Sequence, residues 1–290
     1  MAPSETINRP HSLPALVLAG RFLFLAHRPR DDAEPNWPRA ARWLPIWGLA
    51  IGAAYAVVFG LVWAGFGEYQ RIHWLPAVAV VTLDLALCGH RLLLGVSKLA
   101  AGNRTADDQD NQALTISVVL ILVLIALAKF ALIASLPIGV WRTQPSSSWH
   151  WEAVFGKLGP LYPGIVYRPL ILAPLWGRWA MTLAMTIGRT APAGSLRLQR
   201  MAGNASLPAT FAYWLLCAAL TTVYCSGSGA YVTHGVILAL VLMVVAYLSG
   251  FILARLCAGQ TEASVAATGL VTEMTFLICY VGASSSIYWY

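Results

Sequence analysis

Charge is scarce in this chain. Only 11% of its 290 residues are Asp, Glu, Lys or Arg, and the acids number 12, against about 25% charge in ordinary soluble domains. A water-soluble fold of this length needs more polar surface than that. Cysteine is thin as well. Cys88, Cys217, Cys225, Cys257 and Cys279 stand singly in apolar surroundings, with no CxxC pair and no His at ligand spacing. That pattern speaks against a zinc ribbon or a disulfide framework and for buried thiols. HExxH, GxxxxGK[ST], GxSxG and the dinucleotide-binding glycine pattern are all missing, which leaves zinc proteolysis, P-loop hydrolysis, hydrolase-elbow chemistry and hydride transfer without sequence support. Internal repeats, heptads and paired Gly/Pro-broken segments are missing too, which argues against coiled coils and against many transporter architectures.

What the chain does have is long apolar runs. Ala113–Val140 reads ALTISVVLILVLIALAKFALIASLPIGV with one charge, Lys129, and a run of ~20 apolar residues matches the hydrocarbon thickness of a bilayer. Similar runs predict about seven spans, at Pro45–Phe66, Leu75–Leu94, Ala113–Ile138, Ile165–Ile187, Pro208–Tyr224, His234–Leu256 and Val265–Ile287. The fold class is therefore all-α, a polytopic transmembrane helix bundle embedded in the lipid bilayer. Two parts are expected: residues 1–44 as a cytoplasmic or interfacial segment, and residues 45–290 as the integral membrane domain. Arg9, Arg21, Arg28, Arg30, Arg39, Arg42, Lys98, Arg104, Arg189, Arg197, Arg200 and Arg255 fall on one side of this topology, and only Arg71, Arg142, Lys157 and Arg168 on the other. The positive-inside rule then makes the N-terminus cytoplasmic. The net charge of +7 reports orientation, and no nucleic-acid partner is expected.

The connections carry weaker signals. The start of the chain lacks a clean small-residue cleavage site, and Ser12–Ala26 reads as a short interfacial helix rather than a removable signal. Trp141–Pro163, rich in Trp, Pro and Gly, reads as an interfacial or re-entrant piece. Asn103–Gln112, NRTADDQDNQ, gathers Asp107, Asp108 and Asp110 where the third span's helix starts, a place acids favour. It is either a solvated capping loop or a metal- or phosphate-handling one. The C-terminal SSSIYWY suits an aromatic anchor at the interface.

Function must reside in the polar groups within or beside the spans, because a charge in hydrocarbon is expensive unless paired, neutral or bound to a cation. Asp84 lies in the second span, Glu262 just after the sixth and Glu273 within the seventh. Arg91, Lys129, Arg178 and Arg189 are the cations available to them, and simple pairing that holds the bundle together is one reading. His90 follows Asp84 by six residues, about 600° round a helix, so the two do not form a ready-made dyad. Gly48, Gly52, Ala53 and Ala56 are small enough to let helices approach closely.

Ala258–Ile278, AGQTEASVAATGLVTEMTFLI, resembles the C-terminal signature GGQTGDxxGAxxExxE of cobalamin synthase, the adenosylcobinamide-GDP ribazoletransferase family; Gly259, Gln260, Thr261, Ala267 and Glu273 match it. Arg42–Gly52 is similar to the family's FPxxGxxxG segment, Leu127–Lys129 to its LAK, and Gly177–Ala180 with Gly188–Gly194 to its paired Arg segments. The resemblance is colinear from about Arg21 to Val281.

The resemblance implies a transferase of the bacterial cytoplasmic (inner) membrane. It would join adenosylcobinamide-GDP to α-ribazole or its phosphate and release GMP, with Mg²⁺ (Mg2+) as cofactor. On that reading Glu262, Glu273 and Asp84 hold the metal, and Arg178, Arg189, Gln260 and Thr261 hold the corrinoid and ribazole phosphate substrates. Glu273 and His90 would be catalytic, and a homo-oligomer is compatible with the family. The chain departs from the pattern at its acidic string, HLDGLADTxDG, where His90–Ala100 has Leu92, Val96 and Leu99 in place of the aspartates and adds Lys98. DSRxG is replaced by Asn111–Thr115, the TGD aspartate by Ala263 and the first C-terminal glutamate by Leu270. The alternative that these losses imply is a catalytically degenerate relative, acting as a membrane binding or assembly protein.

Overall fold

The computed structural model describes residues 13–24, 35–67, 74–101, 108–137, 164–192, 195–225 and 232–286. Its elements are helical: α1 (Ala15–Phe24), α2 (Trp37–Ala40), a 3-10 turn (Ala41–Trp43), α3 (Leu44–Val62), α4 (Trp74–Ala101), α5 (Asp108–Ala134), α6 (Tyr167–Ile187), α7 (Leu196–Ala202), α8 (Leu207–Cys225), α9 (Val232–Leu256) and α10 (Glu262–Ser286). Among the described residues the only β-type pairing is a single bridge. Five stretches are long and apolar enough to span a membrane: Trp37–Phe66, Tyr167–Ile187, Leu207–Cys225, Thr233–Leu256 and Glu262–Ala283. α4 and α5 contain the shorter apolar stretches Trp74–Leu87 and Val119–Ala134. The chain is an all-α integral membrane protein, and each of the seven expected spans coincides with a helix.

α6 is the central post. Most of its residues are buried, Trp176 and Trp179 among them, and α3, α8, α9 and α10 all pack on it. By contrast, α8 and α9 expose Phe211, Leu215, Val244 and Ile252, the outward-facing apolar surface that lipid requires. The α3–α6 seam rests on two glycines. A Cβ on Gly48 would meet Pro174 O at 2.7 Å, and one on Gly52 would meet Ile171 O at 2.5 Å. With Tyr55 and Phe59, both buried, these positions form one stripe at helical spacing. Ala53 falls off that stripe and is exposed, so the close approach comes from the glycines and not from all four small residues.

The expected boundary after residue 44 falls at the first residue of α3, and the core extends across it. Leu18, Phe22, Leu23 and Trp37 belong to the same buried cluster as α6. The expected helix within Ser12–Ala26 is α1, and it is docked: the Trp47 indole donates to Leu16 O at 2.8 Å. Asp108 opens α5, as acids at a helix start should. Trp141–Pro163, Asp107 and the final aromatic residues lie outside the described residues. Cys217 and Cys225 are buried free thiols, while Cys257 and Cys279 are half-buried.

Candidate functional site

Five helices each place one polar side chain at the same point inside the bundle. Lys129 of α5 is at the centre. Its Nζ lies 2.8 Å from Asp84 Oδ2 of α4 and 2.5 Å from Glu273 Oε1 of α10. Arg178 of α6 approaches the other oxygen of Glu273, Nη1 to Oε2 at 3.8 Å. The hydroxyl of Tyr55, from α3, donates to Asp84 Oδ1, and its ring lies under the ammonium, 5.7 Å from centroid to Nζ. Side-chain exposure is 4% for Lys129 and 3% for Glu273, so water does little of the solvating here.

Local sequence explains the convergence. Gly177 precedes Arg178 and faces α10, where a Cβ would lie 3.0 Å from Gly269 O and 3.2 Å from Glu273 Oε2. Gly269 lies one turn before Glu273 and faces back; a Cβ there would lie 2.8 Å from Gly177 O. The glycine pair thus brings the α6 and α10 backbones together at the level of the Arg178–Glu273 pair. Two carboxylates and two cations balance in charge, which is the condition for burying them without a large desolvation penalty.

A divalent cation between Asp84 and Glu273 is what the family resemblance asks for. Magnesium needs several oxygen ligands at about 2.0–2.1 Å, and here the ammonium of Lys129 already stands between the two carboxylates with the Arg178 guanidinium behind. A second cation in that space would face like charges at short range in a poorly screened interior. The residues do not fit Mg²⁺ at this point. Among the described residues, no three or more His, Cys, Asp or Glu gather elsewhere around a common centre.

The remaining candidate residues form a separate group at the basic end of the bundle. Gln260 and Thr190 make the single parallel bridge. Gln260 N donates to Arg189 O at 2.8 Å, and Ala191 N donates to Gln260 O at 3.0 Å. The Gln260 amide is fully buried; its Nε2 donates to Gly250 O, and its Oε1 accepts from Ser264 Oγ. Thr261 and Ser264 form a reciprocal cap on α10: Thr261 N donates to Ser264 Oγ, and Ser264 N to Thr261 Oγ1. Gly259 has φ of 133°, a backbone that favours glycine. In the GQT string, then, all three residues fix the turn between α9 and α10.

Glu262 accepts from Ser195 Oγ at 2.5 Å and lies 3.8 Å from Arg197 Nη2. It stands eleven residues before Glu273 on α10, about 16 Å along the helix, so Glu262 does not join Asp84 and Glu273. Arg178 is buried, whereas Arg189 is exposed beyond the end of α6, about 14 Å of helix away; they do not converge on one phosphate. His90 lies on α4 two turns past Asp84, and its side chain is outside the described residues. Sequence reasoning did not find Tyr55, Ser195 or Arg197. Only the spacing of Tyr55 from Gly48, seven residues on one helical face, hinted at its inward aim.

The chain matches no protein-family model, no curated protein and no solved structure.

Proposed function

We propose that this chain is a metal-independent membrane binding or assembly protein, built on a ribazoletransferase-like bundle whose central metal has given way to an internal lysine. The observation that carries this reading is the position of Lys129 Nζ between the carboxylates of Asp84 and Glu273. The ammonium supplies the positive charge those acids need, and the loss of aspartates at Leu92, Val96 and Leu99 fits a protein that does not collect Mg²⁺. Residence in a bacterial cytoplasmic membrane and family kinship are part of the same proposal.

Thermal unfolding of the purified protein in nanodiscs, with millimolar Mg²⁺ and with EDTA, tests it. Equal melting temperatures are expected, because a ligand that binds only the native state must raise its stability. A rise of several degrees with Mg²⁺ overturns the reading.

One observation favours retained transfer chemistry instead. The exposed Arg189 stands beside the connection where Ser195, Arg197 and Glu262 meet, a cationic position that suits a phosphate. Under this second reading, adenosylcobinamide-GDP and α-ribazole phosphate give a Mg²⁺-dependent corrinoid product and GMP, abolished by Glu273→Gln. No product from folded protein, beside an active family member, removes it.

A further inference from the structure

Beside α2, at the basic end, a pocket of about 500 Å³ opens between the chain leading into α3, the middle of α6 and the start of α8. This is within the ordinary size range for ligand sites. Its polar lining includes Asn36, Arg39, Arg42, Asn204, Ser206 and Tyr213, and no acidic residue among those described. Arg39 and Arg42 are exposed, and neither has an ion-pair partner among the described residues. Arg42 Nε donates only to Arg39 O at 3.3 Å. Ser206 caps α8, accepting from Ala209 N at 3.3 Å, so the positive end of a 19-residue helix faces the same space. Among the described residues, every charged group that lines the pocket is therefore positive.

The surroundings say what kind of anion it suits. Ile46 and Leu49, in the first two turns of α3 after Arg42, share one helical face and are exposed at 39% and 42%. Helices α3 and α8 both pack on α6, and the exposed Ile46 and Leu49 carry apolar surface from the level of the arginines along α3 towards the middle of the membrane. A soluble phosphate has no use for that apolar surface. The geometry points to an anionic phospholipid as the occupant, its phosphate on Arg39 and Arg42 and an acyl chain along Ile46 and Leu49. Asp31, Asp32 and Glu34 precede the pocket in sequence and lie outside the described residues.

The test is lipid selectivity of the full chain in nanodiscs of phosphatidylcholine with 10–20% phosphatidylglycerol (a composition on the order of that of anionic native leaflets), read by native mass spectrometry of retained lipids. Arg39→Gln and Arg42→Gln should each lower retained phosphatidylglycerol relative to phosphatidylcholine by about fivefold, the contribution of one basic residue near an anionic surface. Arg255→Gln, an exposed arginine at the same end but outside the pocket, should change it less than twofold (an effect on the order of general surface charge). Ile46→Asn should lower lipid retention without altering competition by inorganic phosphate. An equal loss with Arg255→Gln overturns the proposal, as does displacement of the lipid by millimolar inorganic phosphate or glycerol 3-phosphate, which would assign the pocket to a soluble ligand. Asp31→Asn/Asp32→Asn/Glu34→Gln also overturns it if selectivity rises more than fivefold, since the chain's own acids would then occupy the arginines.

Discussion

Lys129 and Glu273 are 144 positions apart in the chain and 2.5 Å apart in the fold. The contact joins α5 to α10 through two side chains that hydrocarbon would reject singly, and the same ammonium reaches Asp84 on α4. Three spans are thus tied by one cation, with α3 and α6 attached through Tyr55 and Arg178.

Removing that cation should be severe. Lys129→Met keeps the length of the side chain but leaves two buried carboxylates facing each other, with Arg178 the remaining cation. Breaking a buried pair from one side costs about 3–5 kcal/mol, so a large fall in unfolding midpoint in detergent is expected. Adding Asp84→Asn to Lys129→Met should recover part of it, because one of the stranded charges is then neutral. A double mutant as unstable as the sum of the singles would show that Asp84 and Lys129 act independently.

Tyr55→Phe provides the scale. It deletes one hydroxyl donor to Asp84 and leaves the ring in place, and interhelical hydrogen bonds in membranes contribute about 0.6–1.7 kcal/mol. Its destabilisation should be well below that of Lys129→Met. Equal effects would mean that the hydroxyl, and not the ammonium, holds Asp84 in its buried position.

Gly52→Val tests the α3–α6 seam. A Cβ there meets Ile171 Cα at 2.6 Å and its carbonyl oxygen at 2.5 Å, both backbone atoms that cannot swing aside. Overpacking of this kind costs about 1–3 kcal/mol or more. Gly65→Val is the comparison, since a Cβ at Gly65 meets nothing within 4 Å, and its midpoint should stay close to that of the wild type.

The bundle itself was legible from composition. Apolar runs of bilayer length pointed to helices, and arginines clustered in alternate connections predicted one basic end, where α2 and α7 pack together. The site was legible only as a list. Asp84, Glu273, Lys129 and Arg178 were identifiable because each interrupts an apolar run, but which cation meets which acid depends on the rotation of each helix, and that is set by glycines at Gly48, Gly52, Gly177 and Gly269. Glu262 shows the opposite difficulty. It directly follows the GQT string inside the family signature and looks like a metal ligand, yet its place as the first residue of α10, at the α9–α10 connection, gives it to Ser195 and Arg197.

Gly259→Ala should distinguish a structural from a ligand-binding role for the GQT turn. The substitution forces a side chain onto a φ of 133° and puts a Cβ 2.6 Å from Ala191 N. Strain in such regions costs about 1–3 kcal/mol, and the first bonds to go should be those between Gln260 and the Arg189–Ala191 segment. Hydrogen exchange at Ala191 and Gln260 should accelerate while α6 and α10 interiors stay protected. Uniform acceleration throughout the bundle would mean the turn is coupled to global stability rather than local.

If Lys129 stands in for a metal, deleting its side chain should invite one back. Lys129→Ala leaves a space between Asp84 Oδ2 and Glu273 Oε1, two oxygens that now lie 2.8 and 2.5 Å from a common point, and water can fill the rest of a coordination shell. The variant will be less stable than the wild type, but the informative quantity is its response to added Mg²⁺ or Mn²⁺. Stabilisation should approach about 2.7 kcal/mol when the ion is at a hundred times its dissociation constant, while the wild type should not respond. Lys129→Ala/Glu273→Gln removes one charged ligand and should lose the response. The remaining cation, Arg178 at 3.8 Å from Glu273 Oε2, works against metal entry, so Lys129→Ala/Arg178→Gln should bind the ion more tightly than Lys129→Ala. Unfolding midpoints without metal dependence in both variants would show that the carboxylates are arranged for an ammonium alone, and that the bundle does not hold the geometry of a metal centre even when the lysine is removed.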